Sequence, residues 1–554
     1  MIAALLFFGV FLFITLPFGW LLLRALAGRQ EEPLPLPWVS LAGLVLLVSL
    51  AALLSLVWPL DFRPWLLIAP LALGLWAFSP ALRSRLGGRL AWGWPLLALA
   101  LLSVLQNALG PPSNFDTGLY HAQAIRWIET QPVVPGLGNL HARLAFNSNW
   151  YVGNALFSFS FLGLGSLHLL PAACFALFLL DAGRGLRLTS LADALRILLL
   201  PAAFYTLGAE ISSPGSDLPV TLLTWLLAVL WLDCYAPGGR FPRRVGADLL
   251  FLLPFFALTL KLSALPLLLF SLGEVVQLVR RRAWRRSATL LGLAGLILLP
   301  WLVRSFFLSG YLLFPQTAFD WFTPDWKLPL EEALFRQREV IGWARLPGEP
   351  TDWAAGLPLV EWAPRWFADL TGNQRLLVLA AAFAPLPVFF LRPLRPTGLP
   401  VAVAWLGLAF WFFSAPALRF GYGWLMLLPL LPLAGLLRMV QARLELLRDL
   451  QPQRAGWLLR GLRSLPFCLL VGLFAYQSLF LARSLDAKQL QAAWLLPAEY
   501  PGLPSKPCTL ADGTPLWQAE QYLQCWYDPF PCLPTCPTDV IARPDGRGFR
   551  PSAP

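Results

Sequence analysis

Between Ile2 and Leu26 the chain carries a single charge, Arg24, and apolar runs of about this length recur along most of its 554 residues. About 20 such residues in a helix cross the hydrocarbon core of a bilayer. Backbone in that solvent must satisfy its own hydrogen bonds, which leaves helices or closed barrels. The runs are continuous rather than alternating, so they predict helices. Charged residues make up 13% of the chain, about half the ~25% of a soluble domain. The expected fold is therefore an all-α integral membrane protein. Fourteen membrane segments are predicted, at 2–26, 37–59, 64–81, 91–109, 152–182, 194–209, 217–236, 246–260, 263–279, 287–308, 374–392, 398–415, 420–438 and 465–484.

The net charge of +12 does not point to nucleic acid, because no recognition motif accompanies it. The arginines instead sit in short loops between apolar runs: "RSRLGGR" (83–89), "GRGLR" (183–187), "GGRFPRR" (238–244), "RRRAWRR" (280–286), "RPLR" (392–395) and the stretch 438–463. By the positive-inside rule these loops are cytoplasmic. The first segment lacks a preceding basic region and is too long for a signal peptide, so it is expected to stay as a helix. The pair 246–260 and 263–279 reads as a short hairpin with "LKLSALP" at its outer tip, since both its ends face basic loops. Both termini are then expected outside, on the extracytoplasmic side of a bacterial inner membrane.

This sidedness collects the polar clusters on one face. They are the 110–150 loop, "GAEISSPGSDLP" (208–219), Lys261, "RSFFLSGYLLFP" (304–315), the 309–373 loop and "SAPALRFGYGW" (414–424). A polytopic domain over 1–484 is expected to precede a proline- and cysteine-rich outer tail over 485–554. In an oxidising compartment Cys508, Cys525, Cys532 and Cys536 predict two disulfides, with three pairings open. Removing the tail is expected to weaken stability more than chemistry.

Asp116 opens "DTGLYHAQAIRWIET", an amphipathic segment expected to lie in the membrane interface with Trp127 at headgroup depth. The carboxylate reads equally as a helix N-cap or as a catalytic base. Arg126 lies on the polar face of that segment. His121 and His141 are candidate ligands or proton carriers, although loop histidines more commonly only donate and accept hydrogen bonds. Asp217 enters a span where it could cap the helix, with Pro219 in the first turn. Asp116 and Asp217 are also the candidate ligands for a divalent cation, Mg or Mn, although they lack a metal-binding spacing. Lys261 sits within a long apolar stretch, where an ionisable group is costly unless it is paired, functional or snorkelling to the interface. Lys261, Arg304 and Arg419 face outward against the topology rule, which suggests a bound phosphate or pyrophosphate.

The stretches "FDTGLYHAQAIRWI", "GLGNLHARLAFNSNW", "ISSPGSD", "LKLSALP", "RSFFLSGYLLFP", "VIGWARLPG" and "APALRFGYG" together resemble a family of uncharacterised polytopic bacterial membrane proteins. That family is in turn similar to the GT-C superfamily of membrane glycosyltransferases. The resemblance implies a GT-C-like helix bundle that uses a polyprenyl-phosphate or pyrophosphate sugar donor. The acceptor would be a cell-envelope glycan, a lipid or a protein. It implies that Asp116 activates the acceptor hydroxyl and that Lys261, Arg304 and Arg419 hold the donor phosphate. His121, Arg126, His141 and Asp217 complete the candidate substrate-binding set. In GT-C enzymes the key loop usually follows the first helix, whereas here it follows the fourth predicted span. The competing readings are a transporter or flippase for a lipid-linked or anionic solute, and a non-catalytic assembly factor for surface polysaccharide. No internal repeat of the kind many transporters carry is visible.

Overall fold

The computed structural model describes residues 2–27, 34–79, 82, 94–163, 165–448, 452–484 and 496–552. The basic loop "RSRLGGR", predicted to be cytoplasmic, lies outside the described residues. Among those residues, nine helices are long and apolar enough to cross a membrane. They make the chain a multi-pass membrane protein.

Five of the fourteen predicted segments are not among these nine. The helices Trp65–Phe78 and Gly372–Phe383 have 14 and 12 residues, and the described part of the segment at 91–109 is the 15-residue helix Trp94–Ala108. Arg243–Leu260 has 18 residues but opens on two arginines and carries a buried Asp248. The run 152–182 is broken into the helix Asn149–Leu156, a 3-10 turn at Ser160–Leu162 and the helix Leu170–Ala182. The break has a backbone cause. Gly163 and Gly165 take φ of 73° and 74°, a left-handed region where L side chains pay a steric cost. Hydropathy alone does not register it. Two other helices outrun their predictions: Leu418–Arg448 has 31 residues and Pro452–Ser484 has 33. Their arginine-rich ends continue the helix past the apolar stretch.

Burial orders the bundle. Asp217–Tyr235 is the most enclosed span, followed by Leu36–Leu54 and Leu191–Glu210. Leu262–Arg280, Trp284–Ser309 and Gln453–Tyr476 lie at the rim. The rim helices leave Leu272, Leu299 and Leu458 uncovered, as suits side chains facing lipid. The first two helices cross closely through paired glycines. A Cβ on Gly19 would strike the Val39 carbonyl, and one on Gly43 would strike the Thr15 carbonyl. Thr15 and Ser40 share a 2.6 Å hydrogen bond at the same crossing. Small residues that let backbones approach are a principal means of helix association in lipid. Gly19→Leu is therefore expected to lower the thermal midpoint in detergent, whereas Gly9→Leu, at a glycine with open space around it, should not. Equal midpoints for the two variants would refute the crossing.

The basic loops meet at one end of the bundle. Arg240 donates to the Arg184 carbonyl at 3.1 Å, Arg438 to the Leu188 carbonyl at 2.6 Å and Arg286 to the Arg244 carbonyl at 2.7 Å. The hairpin turns at Lys261 and a 3-10 segment, Leu262–Leu267, before Leu268–Arg280 begins.

The described part of the tail, residues 496–552, is not helical. Strands β1 (Ser505–Thr509) and β2 (Pro515–Ala519) pair antiparallel, and β3 (Cys532–Leu533) joins β2 in parallel. Strands β4 (Val540–Ala542) and β5 (Phe549–Pro551) form a second ribbon. Disulfides join Cys508 to Cys536 and Cys525 to Cys532.

Candidate functional site

Asp116 does not cap a helix. It precedes a π-helical turn, Thr117–His121, and its side chain makes no capping hydrogen bond. Its carboxylate instead accepts from Arg419 Nη2 at 2.6 Å and lies 3.7 Å from Arg143 Nη1. Arg143 reaches Glu339 at 3.0 Å, and Glu339 bridges on to Arg336 at 3.0 Å. The 110–150 loop, the 309–373 loop and the "ALRFG" helix start are thus joined by alternating charges. Asp217 does not cap either: it lies in the first turn of Asp217–Tyr235, and Lys261 Nζ pairs with it.

The two ion pairs meet at one aromatic ring. Lys261 Nζ sits 3.7 Å from the Phe420 ring centroid, and the Arg419 guanidinium carbon sits 5.0 Å from the same centroid. The charges of both pairs, Asp116, Asp217, Arg419 and Lys261, act on His121. Its ring packs on Tyr120 and Tyr151 at centroid distances of 4.4 and 5.2 Å. Asn114 donates to Glu210 at 2.9 Å beside it. A Cβ at Gly215 would stand 3.6 Å from both His121 Cε1 and Glu210 Oε2, so this glycine lines the same space.

Four sequence candidates therefore converge around Asp116: His121, Asp217, Lys261 and Arg419. Three do not. Arg304, expected to face outward, is buried and donates to Ser55 Oγ at 3.0 Å. Arg126 grips the tail, pairing with Asp528 and donating to the Tyr527 carbonyl at 2.6 Å. His141 neighbours Arg336 and Arg143 rather than the paired carboxylates. The interfacial helix is also placed differently. Ala122–Thr130 is buried on nearly every side, its polar Gln123 and Glu129 included. Trp127 packs on Phe530 and Phe549 of the tail, at 4.9 and 6.2 Å. An amphipathic period reports that a helix has a polar face but not whether water or protein covers it.

Sequence reasoning missed Asn114, Arg143, Glu210 and Glu339 as parts of the cluster. Glu210 was detectable, because it ends an apolar run just as Asp217 begins one. Nothing local marks Arg143 or Glu339.

The electrostatics follow from burial and pairing. Burial pushes the Asp116 carboxyl up, but His121, Arg419 and Arg143 outweigh it and hold it below its ordinary value. It is a carboxylate at neutral pH. Burial takes His121 down to about 4 against the pull of Asp116 and Asp217. His141 falls to about 3 through burial and the nearby Arg336 and Arg143, and His168 to about 4 through burial. All three histidines are neutral at pH 7. An unfolded histidine titrates near 6.5, so each folded value lies below its unfolded one. The associated stability is complete above pH ~6.5 and is lost as pH falls toward the folded values. The thermal midpoint of the solubilised protein should therefore fall between pH 7 and 5, and His141→Asn should shrink that fall. An unaltered pH slope in this variant would contradict the neutral-histidine assignment.

Asp116 and Asp217 each face a cation, so they do not present a shared pair of free oxygens to Mg or Mn. Among the described residues, no three His, Cys, Asp or Glu side chains group as metal ligands. What the cluster offers is two cations that can exchange partners and two carboxylates that such an exchange would free.

Residues 1–426 match the family described as Domain of unknown function (DUF8201). The chain belongs to this family. No curated protein and no solved structure matches it. The clustered residues from Asn114 to Arg419 all fall inside the matched part of this DUF8201 chain, and the disulfide-bearing tail falls outside it.

Proposed function

We propose that the protein is a GT-C-type membrane glycosyltransferase that moves a sugar from a polyprenyl-phosphate or pyrophosphate donor to an extracytoplasmic acceptor. The observation that carries this reading is the meeting of Asp116 with Arg419, His121 and the Lys261–Asp217 pair at one place in an apolar bundle. The bundle would sit in a bacterial inner membrane with the cluster and both termini outside, as the distribution of basic loops supports. A lipid-linked donor then needs only to bring its phosphate to the interface.

Glycosyl transfer requires a base for the attacking hydroxyl and positive charge for the departing phosphate. The donor phosphate would take Arg419 and Lys261 from their carboxylates, because phosphate offers each cation more acceptor oxygens. Asp116 would then be free to accept a hydrogen bond from the acceptor hydroxyl. It would take the proton as the new C–O bond forms and the bond to the phosphate oxygen breaks. Attack opposite the leaving phosphate inverts the anomeric centre. Neutral His121 would hold the space between the two ion pairs without adding charge. Arg304 has no part in this scheme.

The test is a purified, reconstituted protein given a labelled polyprenyl-phosphate sugar and candidate hydroxyl acceptors. Appearance of a glycosylated acceptor supports the reading. Movement of the intact donor across the vesicle, with no chemical change, would replace it with a flippase. The donor site has its own expected result. Lys261→Met combined with Asp217→Asn removes the cation without leaving a bare carboxylate. Loss of a charged hydrogen bond worth roughly 1.5–3 kcal/mol should weaken polyprenyl-phosphate binding by at least about tenfold. Unchanged binding would remove Lys261 from the donor site.

A further inference from the structure

The segment that carries Asp116 and His121 is held by the far end of the chain. The backbone N–H groups of Cys525 and Trp526 both donate to the Gly118 carbonyl at 2.9 Å. Gln524 donates to the Phe115 carbonyl at 3.1 Å. Gln123, 1% exposed, faces the carbonyls of Trp526, Tyr527 and Pro529 at 3.0, 3.2 and 3.0 Å and accepts from Cys532 N at 3.0 Å. Tyr527 donates from its hydroxyl to Glu129 at 2.6 Å, and the Arg126 guanidinium lies over the Tyr527 and Phe530 rings at 4.6 and 4.9 Å. All these tail residues belong to, or directly abut, the loop closed by the Cys525–Cys532 disulfide.

Gly118 explains why the contact can form. A Cβ there would come within 2.7 Å of the Trp526 indole and 3.0 Å of the Gln524 carboxamide. Its backbone conformation is ordinary, so glycine is required by the close approach of the tail. The turn Thr117–His121 is π-helical, a form that appears mostly as single turns and frequently at functional sites. A π turn displaces the residues on either side of it relative to a regular helix. Here it lies between Asp116 and the helix Ala122–Thr130, and its Gly118 carbonyl receives the two tail donors. Asp116 is two residues from that carbonyl and His121 three.

We propose that the disulfide-closed loop 525–532 is a positioning element of the site: it clamps the π turn and thereby sets Asp116 and His121 against Arg419 and Lys261. The tail therefore acts on chemistry as well as on stability, contrary to the expectation from its lack of acid–base motifs. The consequence for catalysis rests on the transferase reading, while the clamp itself does not.

The experiment uses the full chain in detergent and measures amide hydrogen exchange over residues 114–130. Three variants are compared with wild type: Cys525→Ser with Cys532→Ser, Gly118→Ala, and Cys508→Ser with Cys536→Ser as a control that opens the other disulfide ring. The first two should speed exchange at 117–123 by tenfold or more. The control should stay within about twofold there. In the transfer assay the first two should lower kcat with the donor KM held within about twofold, since the cations that hold phosphate lie outside the clamped turn. If the Cys525/Cys532 variant does not fold, Gly118→Ala decides the matter alone, because it leaves both disulfides intact. Exchange within twofold of wild type in Gly118→Ala, or equal acceleration in the control, would overturn the clamp. A wild type that transfers no sugar would sink the proposed function and leave the exchange result to stand or fall separately.

Discussion

Replacing Asp116 by asparagine is expected to lower sugar transfer by about 10²- to 10⁴-fold, the usual contribution of a positioned general base. The protein should still insert, fold and bind polyprenyl phosphate. Asparagine keeps an acceptor oxygen for Arg419, and Arg143 retains Glu339 at 3.0 Å, so neither arginine is stranded without a partner. With its carboxyl held below its ordinary value, Asp116 is ionised throughout the neutral range. The loss should therefore be as large at pH 8 as at pH 6.5. Full transfer by the variant would reduce Asp116 to a structural partner of Arg419. Loss of folding instead would show that the ion pair with Arg419 carries the local structure.

The largest effect on stability is expected at the other end of the bundle. Arg196 is 1% exposed and lies among three buried carboxylates. It donates to Asp181 at 2.8 Å, lies 3.4 Å from Asp193 and pairs with Asp233. Arg184 backs the cluster at 2.7 Å from Asp181 and 3.3 Å from Asp233, and the Trp38 indole donates to Asp181 at 2.8 Å. This network ties the helices Leu36–Leu54, Leu170–Ala182, Leu191–Leu207 and Asp217–Tyr235 together beside the basic loops. Arg196→Met would leave buried carboxylates uncompensated, at a cost of about 3–5 kcal/mol. The thermal midpoint in detergent should drop by several degrees, and adding Asp233→Asn should recover part of the loss. A midpoint equal to wild type would mean that water or Arg184 and Arg240 neutralise the cluster unaided.

Sequence and structure agree best where the solvent imposes a rule. The apolar runs at 2–26, 217–236 and 287–308 correspond to single long helices, because hydrocarbon demands both length and internal hydrogen bonding. The turn at Lys261 also matches the expected hairpin, with Arg243–Leu260 and Leu268–Arg280 on either side of a 3-10 segment. Agreement fails where composition hides backbone geometry, as at Phe159, Gly163 and Gly165. It also fails where a charge finds its partner inside the protein, as Arg304 does with Ser55.

The sequence by itself determined that this chain is a bundle of lipid-spanning helices with polar segments between them, because the bilayer selects for length and hydropathy and both are local properties. It also marked Asp116, Asp217, Lys261 and Arg419 as charges in need of an explanation. Only the tertiary structure decided how they pair. Asp116 and Arg419 are 303 positions apart, and Gln123 and Trp526 are 403 apart. No period or spacing links such residues. Their partnership depends on which helix ends meet and on the close approach that a glycine at 118 permits, and those are properties of packing.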